Sequence, residues 1–380
     1  MRIVANENIT YVREAFNVLG GLSVFRGRSL TPENVRDADV LIVRSVTRVN
    51  QSLLRGSQVK YVGTATSGLD HIDVSYLAQN DIGFSHAQGA NAQSVADYVM
   101  AALLAATASR SANLAEMTCG IVGYGHVGSN VYQRLTALGV QCSVYDPPLA
   151  QESKDDFFCD WDSIVECEAI TFHTPLSEED PYLTRHMVND DFMNAIAPAT
   201  ILINTSRGEV MDTQALIDAK IENPDLFYVF DVWENEPNIN LNLFELTDIA
   251  TSHIAGYSWD GKIAGTRQIF DGLCKHLVRD SQWPEPHPPS PVSLDIRIDS
   301  DGRDSFNGLR EIVRHAYPIS DDDQRLRAAM AHNSGSPGIA FDRLRRDYWT
   351  RREFSAYRVD SSAIGAETEQ YCEALGFKLV

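Results

Sequence analysis

Three features of the sequence predict its fold class. Strands and helices alternate over most of the chain, a glycine-rich turn joins an apolar strand to a helical stretch after Thr118, and the pattern changes beyond a run of prolines. Together they predict an α/β protein with two Rossmann-like doubly wound parallel-sheet domains, followed by a small α+β carboxy-terminal domain. At 380 residues, with 44 % hydrophobic and 22 % charged residues, the chain has the size of two or three domains and an ordinary soluble composition. The expected boundaries are 1–93 with 257–287 for the first domain, 94–256 for the second and 288–380 for the third.

Taken in order, apolar runs at Arg2–Ala5, Ala38–Arg44 and Tyr61–Thr64, with a helical pattern at Val12–Leu19, give a parallel sheet covered on both faces. The strand ends carry hydroxyl- and glycine-rich turns, Arg44-Ser45 with Thr47 and Thr66-Ser67-Gly68, where an open α/β sheet binds its ligand. Taken singly, each turn is equally explained by turn chemistry alone. Asn91–Ser109 reads as one long, Ala-rich helix that connects two lobes. Further strands are expected at Thr118–Val122, Gln141–Tyr145, Ala169–His173, Ile201–Thr205, Leu226–Asp231 and Asp248–Thr251, with a Pro147-Pro148 stop after the second. Trp259–Val278 is helical again and leads back to the first lobe. The run Trp283–Pro291 reads as a semi-rigid linker. After it, Val292, Leu294, Ile296 and Ile298 alternate as a half-buried strand, and Leu309, Ile312 and Val313 mark a helix. The segment Arg343–Arg352 mixes arginine with aromatic residues, but the chain from Pro288 onward holds 13 basic and 15 acidic residues. A solvated or subunit-facing helix is therefore expected there.

Composition narrows the partners. A formal net charge of −20 disfavours nucleic acid and anionic membranes, whose phosphates would be repelled. The cysteines Cys119, Cys142, Cys159, Cys167, Cys274 and Cys372 form no Cys-x-x-Cys pair. They read as reduced core residues, and no metal is expected. Neither a signal-peptide pattern nor an apolar run of spanning length is evident, so a cytoplasmic protein is expected.

The sharpest motif is Gly123-x-Gly125-x-x-Gly128 between an apolar strand and a helix. The first glycine permits the bend, the second lets the backbone approach a pyrophosphate, and the third lets the helix lie close on the strand. Asp146 ends the next strand about 20 residues on, where such folds hold the adenosine ribose. An acid there accepts ribose hydroxyls and repels a 2′-phosphate, so NAD is expected rather than NADP.

Arg207, Glu236 and His253 each lie near a strand end. Singly they read as a salt-bridged arginine, a loop acid and a satisfied histidine. In this order behind the glycine turn, they resemble the catalytic set of the D-isomer-specific 2-hydroxyacid dehydrogenases. The resemblance covers residues 1 to about 280 and extends to His173-Thr-Pro-Leu176, Asn204-Thr-Ser-Arg-Gly208, Asp231-Val-Trp-Glu-Asn-Glu-Pro237 and His253-Ile-Ala-Gly256. It implies that Arg207 clamps a substrate carboxylate, His253 is the general base and Glu236 orients it, roles their chemistry supports. It also implies cofactor contacts at His126, Val127, Thr174, Thr205, Ser206, Arg207, Asp231 and Gly256, besides Gly123, Gly125, Gly128 and Asp146.

Within the family, the extra carboxy-terminal domain, the Arg44-Ser45 and Thr66-Ser67 turns, and Tyr257-Ser258 resemble members that act on a small phosphorylated hydroxy acid as homodimers. Arg44, Ser45, Thr66, Ser67, Gly68 and Tyr257 are then the expected substrate contacts. Phosphoglycerate- or hydroxypyruvate-type members, and NAD-sensing corepressor scaffolds of the same fold, are the alternatives.

Overall fold

The computed structural model describes residues 1–27, 29–153, 155–280, 282–284, 286–287, 293–298, 305–331 and 336–380. The expected boundary at 287/288, the end of the proline run and Val292 lie wholly or partly outside these residues. The chain divides into two compact units, residues 1–91 with 258–290 and residues 92–257 with 291–380.

In the first unit, β1 (Arg2–Asn6), β2 (Gly21–Phe25), β3 (Val40–Val43), β4 (Tyr61–Thr64) and β5 (Gly83–His86) form a parallel sheet in the order β2-β1-β3-β4-β5. The two outermost strands were not expected from the sequence. As edge strands they carry partly exposed, weakly apolar residues, so no hydrophobic run announces them. Each face buries its own core. Ile3, Ile42 and Tyr61 pack with Phe16 and with Ile269, Phe270 and Leu273 of the helix Trp259–His276. Leu41, Val43 and Val62 pack with Val35, Leu53 and Leu77 on the other side. Ser258 caps that long helix by accepting the Gly261 N–H at 2.8 Å.

The second unit contains β6 (Thr118–Val122), β7 (Gln141–Tyr145), β8 (Ala169–Phe172), β9 (Ile201–Asn204), β10 (Phe227–Phe230) and β11 (Ile249–Ala250) in the order β11-β10-β9-β8-β6-β7, all parallel. The chain winds outward in both directions from β6, which makes the carboxyl end of β6, between β7 and β8, the switch point where such sheets bind ligands. The expected helix after residue 91 runs Ala92–Ser109 and is buried on most sides.

The carboxy-terminal segment has the expected α+β character. Short parallel strands β12 (Asp295–Ile296), β13 (Arg358–Val359) and β14 (Lys378–Leu379) accompany the helices Ser305–Ala316, Ile319–Ala331, Pro337–Arg346 and Ala366–Leu375. Its apolar face is covered within the chain: Ile296, Leu309, Ile312, Val313 and Phe354 share one core with Val95, Val99 and Leu103. Polar ties follow the same path. Arg351, 1 % exposed, donates to the Ser94 and Ala255 carbonyls, and Asp97 accepts from the Phe354 N–H at 2.9 Å and from Arg134 at 2.6 Å. The segment Arg343–Arg352 is therefore no uniformly solvated helix: its helix ends at Arg346, and Arg351 turns inward.

Candidate active site

Each glycine of the turn after β6 has a separate structural reason. Gly123 sits at φ +92°, and a Cβ there would lie 2.9 Å from the His173 carbonyl carbon and the Thr174 nitrogen. A Cβ at Gly128 would drive into the Gly123 carbonyl oxygen, so the helix His126–Ala137 could not close on the strand. At Gly125, by contrast, no atom lies within 4 Å of the Cβ position. That open space lies at the start of a helix whose first turn holds His126 and Val127, where backbone N–H groups favour an anion. Beside the turn, the Thr174 Oγ1 is buried without a hydrogen-bond partner in the protein. A ligand hydroxyl or phosphate oxygen would satisfy it. These residues fit a dinucleotide.

Asp146 ends β7 with both carboxylate oxygens engaged. Oδ2 accepts the Tyr124 N–H at 2.7 Å, and Oδ1 accepts the Leu149 N–H at 3.2 Å, capping a short helix Pro147–Glu152. The proline pair expected as a stop thus ends the strand and opens a helix, because proline tolerates the first helical positions. His173 places its ring between two hydroxyls, with Nδ1 3.0 Å from Thr205 and Nε2 3.0 Å from Thr171. Desolvation pushes its pKa down to about 3, so the ring is neutral. The Asn204 side chain folds the next turn, accepting from the Ser206 N–H and Oγ and donating to the Arg207 carbonyl at 3.0 Å. Arg207 leaves the end of β9 from that turn. Gly208 follows with no room for a Cβ against the Trp233 backbone, so the arginine turn lies directly on the chain leading to Glu236.

Glu236 and His253 meet. The Nδ1 of His253 is 2.7 Å from Glu236 Oε2, and Oε1 accepts the Trp233 N–H at 2.8 Å. A carboxylate at Nδ1 fixes the proton there and leaves Nε2 as the basic nitrogen. Burial raises the Glu236 pKa, but the charge and hydrogen bond of His253, the charge of Arg345 and the Trp233 N–H outweigh it and hold the carboxyl below its usual value. His253 occupies the left-handed region at φ +57°, a conformation that costs about 1–3 kcal/mol for a non-glycine residue. Asp231 holds it there. Its carbonyl accepts the His253 N–H at 2.7 Å, and its carboxylate accepts the Ile254 and Ala255 N–H groups at 2.7 and 2.8 Å and the Thr251 hydroxyl at 2.6 Å. Burial raises the Asp231 pKa despite these donors and the nearby His253. Beyond Gly256, the Tyr257 hydroxyl accepts from Arg345 Nη2 at 3.2 Å.

In the first unit the two expected substrate turns are neighbours, because β3 and β4 are paired and the Ala65 N–H donates to the Val43 carbonyl at 3.0 Å. Arg44 donates to the Asn8 carbonyl at 3.3 Å, and Ser45 is exposed. The Thr66 hydroxyl lies 2.8 Å from that of Thr64 and donates to the Gly68 carbonyl at 3.1 Å. Ser67 donates to the Ala87 carbonyl and to Asn91. The hydroxyls of Thr66 and Ser67 are thus already used to shape the turn.

Residues 87–255 match the family model described as D-isomer specific 2-hydroxyacid dehydrogenase, NAD binding domain. Over 391 aligned residues the chain is 40 % identical to the erythronate-4-phosphate dehydrogenase of Klebsiella pneumoniae (strain 342), covering 100 % of this chain and 99 % of that one. The chain belongs to the D-isomer-specific 2-hydroxyacid dehydrogenases. It is an NAD-dependent enzyme of that family. The erythronate-4-phosphate dehydrogenase of Edwardsiella ictaluri (strain 93-146) is 43 % identical over 362 residues, 94 % of each chain. Residues 289–376 match a second model, described only as a domain of unknown function (DUF3410). Among solved structures, the NAD+-bound 3-phosphoglycerate dehydrogenase of Entamoeba histolytica superposes with a TM-score of 0.63 at 23 % identity over 73 % of this chain and 95 % of its own. That likeness shows the fold. Among the described residues, no helix of the dehydrogenase is long and apolar enough to cross a membrane.

The roles of two groups near the dyad escaped the sequence reading. Asp231 was expected as a cofactor contact, and its carboxylate already takes three internal donors around His253. Arg345 was expected on a solvated or subunit-facing helix. A signal was available: Gly338, Phe341 and Arg345 recur at helical spacing, and the first two are buried.

Proposed function

We propose that this dehydrogenase oxidises 4-phospho-D-erythronate to (R)-3-hydroxy-2-oxo-4-phosphooxybutanoate, a step in pyridoxine 5′-phosphate biosynthesis. The observation that carries the reading is the 40 % identity to a named erythronate-4-phosphate dehydrogenase over the whole chain, the carboxy-terminal segment included. Bound NAD supplies the hydride acceptor. Arg207 binds the substrate carboxylate through its planar fork and polarises the neighbouring oxygen. His253 takes the C2 hydroxyl proton at Nε2 as the C2 hydride departs and the C–O bond becomes a carbonyl. The resulting imidazolium is stabilised by Glu236, 2.7 Å from Nδ1. Thr174, the glycine turn and Asp146 are assigned to the cofactor, together with Thr205, Ser206 and Gly256. Arg44, Ser45, Thr66, Ser67, Gly68 and Tyr257 are assigned to the substrate, with Arg44 and Ser45 at its phosphate. A homodimer and a cytoplasmic location belong to the same reading.

The test is NADH fluorescence with 4-phospho-D-erythronate, D-erythronate, 3-phosphoglycerate and hydroxypyruvate, the last run in the reducing direction. Strong preference for the first, reduced in Ser45→Ala and Arg44→Ala, is the expected result. Comparable use of phosphorylated and unphosphorylated erythronate would remove the phosphate assignment, and preference for 3-phosphoglycerate would move the enzyme to the other branch.

A further inference from the structure

The helix Pro337–Arg346 lies against residues that follow each member of the catalytic dyad, Pro237 and Asn238 after Glu236 and Tyr257 after His253. At its start, a Cβ on Gly338 would stand 2.5 Å from Asn238 Oδ1 and 3.2 Å from Pro237 Cγ, so the helix rests on the residues that follow Glu236. Two turns later, Arg345 Nη2 bonds the Tyr257 hydroxyl at 3.2 Å, and its guanidinium carbon lies 5.7 Å from the centre of the Tyr257 ring. Arg345 Nε is buried without a hydrogen-bond partner. A guanidinium kept in a half-buried place with one nitrogen unsatisfied costs stability.

We propose that Arg345 is a positioning residue of the active site: it fixes Tyr257 and sets a permanent positive charge on the Glu236 side of the His253–Glu236 pair. This rests on the roles assigned above to His253 and Glu236. The charged and titratable groups around the pair are Asp231 at the end of β10, which interacts with His253, and Arg345 on the helix, which interacts with Glu236, with Tyr257 and Asp342 near Arg345. Burial opposes the charge on Arg345, but Tyr257 and Glu236 outweigh it and raise its pKa above the usual value, so it stays charged throughout the working range. Its charge also helps hold Glu236 ionised. A fixed cation on that side offsets part of the negative field of Glu236 and Asp231, and so limits how readily His253 is protonated.

The experiment is the pH profile of kcat/KM for 4-phospho-D-erythronate oxidation in the full-length enzyme, compared with Arg345→Gln and Arg345→Lys, with NAD affinity measured by fluorescence titration. The acid limb of Arg345→Gln should move to higher pH by on the order of half to one unit, with kcat lowered and NAD affinity unchanged. Arg345→Lys, which keeps the charge, should return the limb to the wild-type position. If Arg345→Gln fails to fold, Arg345→Lys decides alone: a limb at the wild-type position supports the proposal, and one shifted by half a unit or more overturns it. An unmoved limb in Arg345→Gln, including one accompanied only by a raised KM for the substrate, overturns it as well. Absence of NADH formation by the wild type would instead undo the substrate assignment, so the two failures are distinguishable.

Discussion

Asp231 holds His253 in a left-handed backbone conformation by accepting its N–H on the main chain at 2.7 Å and the next two N–H groups on its carboxylate. The side chain of His253 is aimed by Glu236, but its backbone is aimed by Asp231. Asp231→Asn keeps one acceptor oxygen and turns the other into a donor facing N–H groups. Such a buried mismatch costs about 1–3 kcal/mol. Turnover should fall at least about tenfold, because a misplaced His253 loses its alignment with the reacting hydroxyl. Stopped-flow hydride transfer and thermal unfolding measure the two effects, and wild-type values of both would refute the clamp.

Glu236→Gln separates charge from geometry. Removing the anion beside Nδ1 makes His253 harder to protonate, so the acid limb of oxidation should move to lower pH, opposite in sign to Arg345→Gln, while kcat falls. Stability follows the lowered Glu236 pKa. Its contribution is present above the unfolded value, about 4.3, and is lost as pH falls through the lower folded value. The wild type should therefore lose more stability than Glu236→Gln below about pH 4.3, as read from urea midpoints over that window.

The three glycines of the cofactor turn should fail in different ways. Gly128→Ala has no room against the Gly123 carbonyl and should destabilise or unfold the domain. Gly125→Ala meets no protein atom within 4 Å and should keep a native melting temperature. Its methyl group would stand where the pyrophosphate approaches, so NAD affinity should drop at least about tenfold. Isothermal titration calorimetry and differential scanning fluorimetry together check this, and full NAD affinity in Gly125→Ala would remove the turn from the cofactor site.

Asp146→Ala should narrow the preference for NAD over NADP, since the repulsion of a 2′-phosphate is lost. The same change removes a helix cap and the acceptor for Tyr124, at a cost of about 0.5–2 kcal/mol. Ratios of kcat/KM for the two cofactors decide the first point and unfolding midpoints the second.

Removal of residues 288–380 should cost the remaining chain its solubility. Val95, Val99 and Leu103 would lose Ile296, Leu309 and Ile312 from their shared core, and each large apolar side chain so exposed costs about 1.5–3 kcal/mol. A soluble, NAD-binding truncated protein, judged by light scattering and fluorescence, would show that this core is dispensable. If its oligomeric state also matched that of the full-length chain, the segment would have no part in assembly.

Much of the site was legible from local sequence. Gly123, Gly125, Gly128 and Asp146 mark themselves through their spacing after an apolar strand, and Arg207, Glu236 and His253 through their order along the strand ends. Edge strands β2 and β5 were not legible, since their half-exposed residues lack an apolar run. Nor were the internal bonds of Thr66 and Ser67, because a hydroxyl that shapes a turn and one that awaits a ligand are the same residue in a sequence.

The sequence by itself determined the parallel sheets and the glycine turn, and put forward Arg207, Glu236 and His253 as one set, because period, glycine placement and residue order act over short stretches of chain. Tertiary structure alone decided that Asp231 clamps the backbone of His253, that the carboxy-terminal segment completes the core of the NAD-binding unit, and that Arg345 stands beside Tyr257 near Glu236. Those contacts join positions about 20 to more than 200 residues apart. No local pattern encodes them, since they depend on which buried faces and which unsatisfied donors meet once the chain has packed.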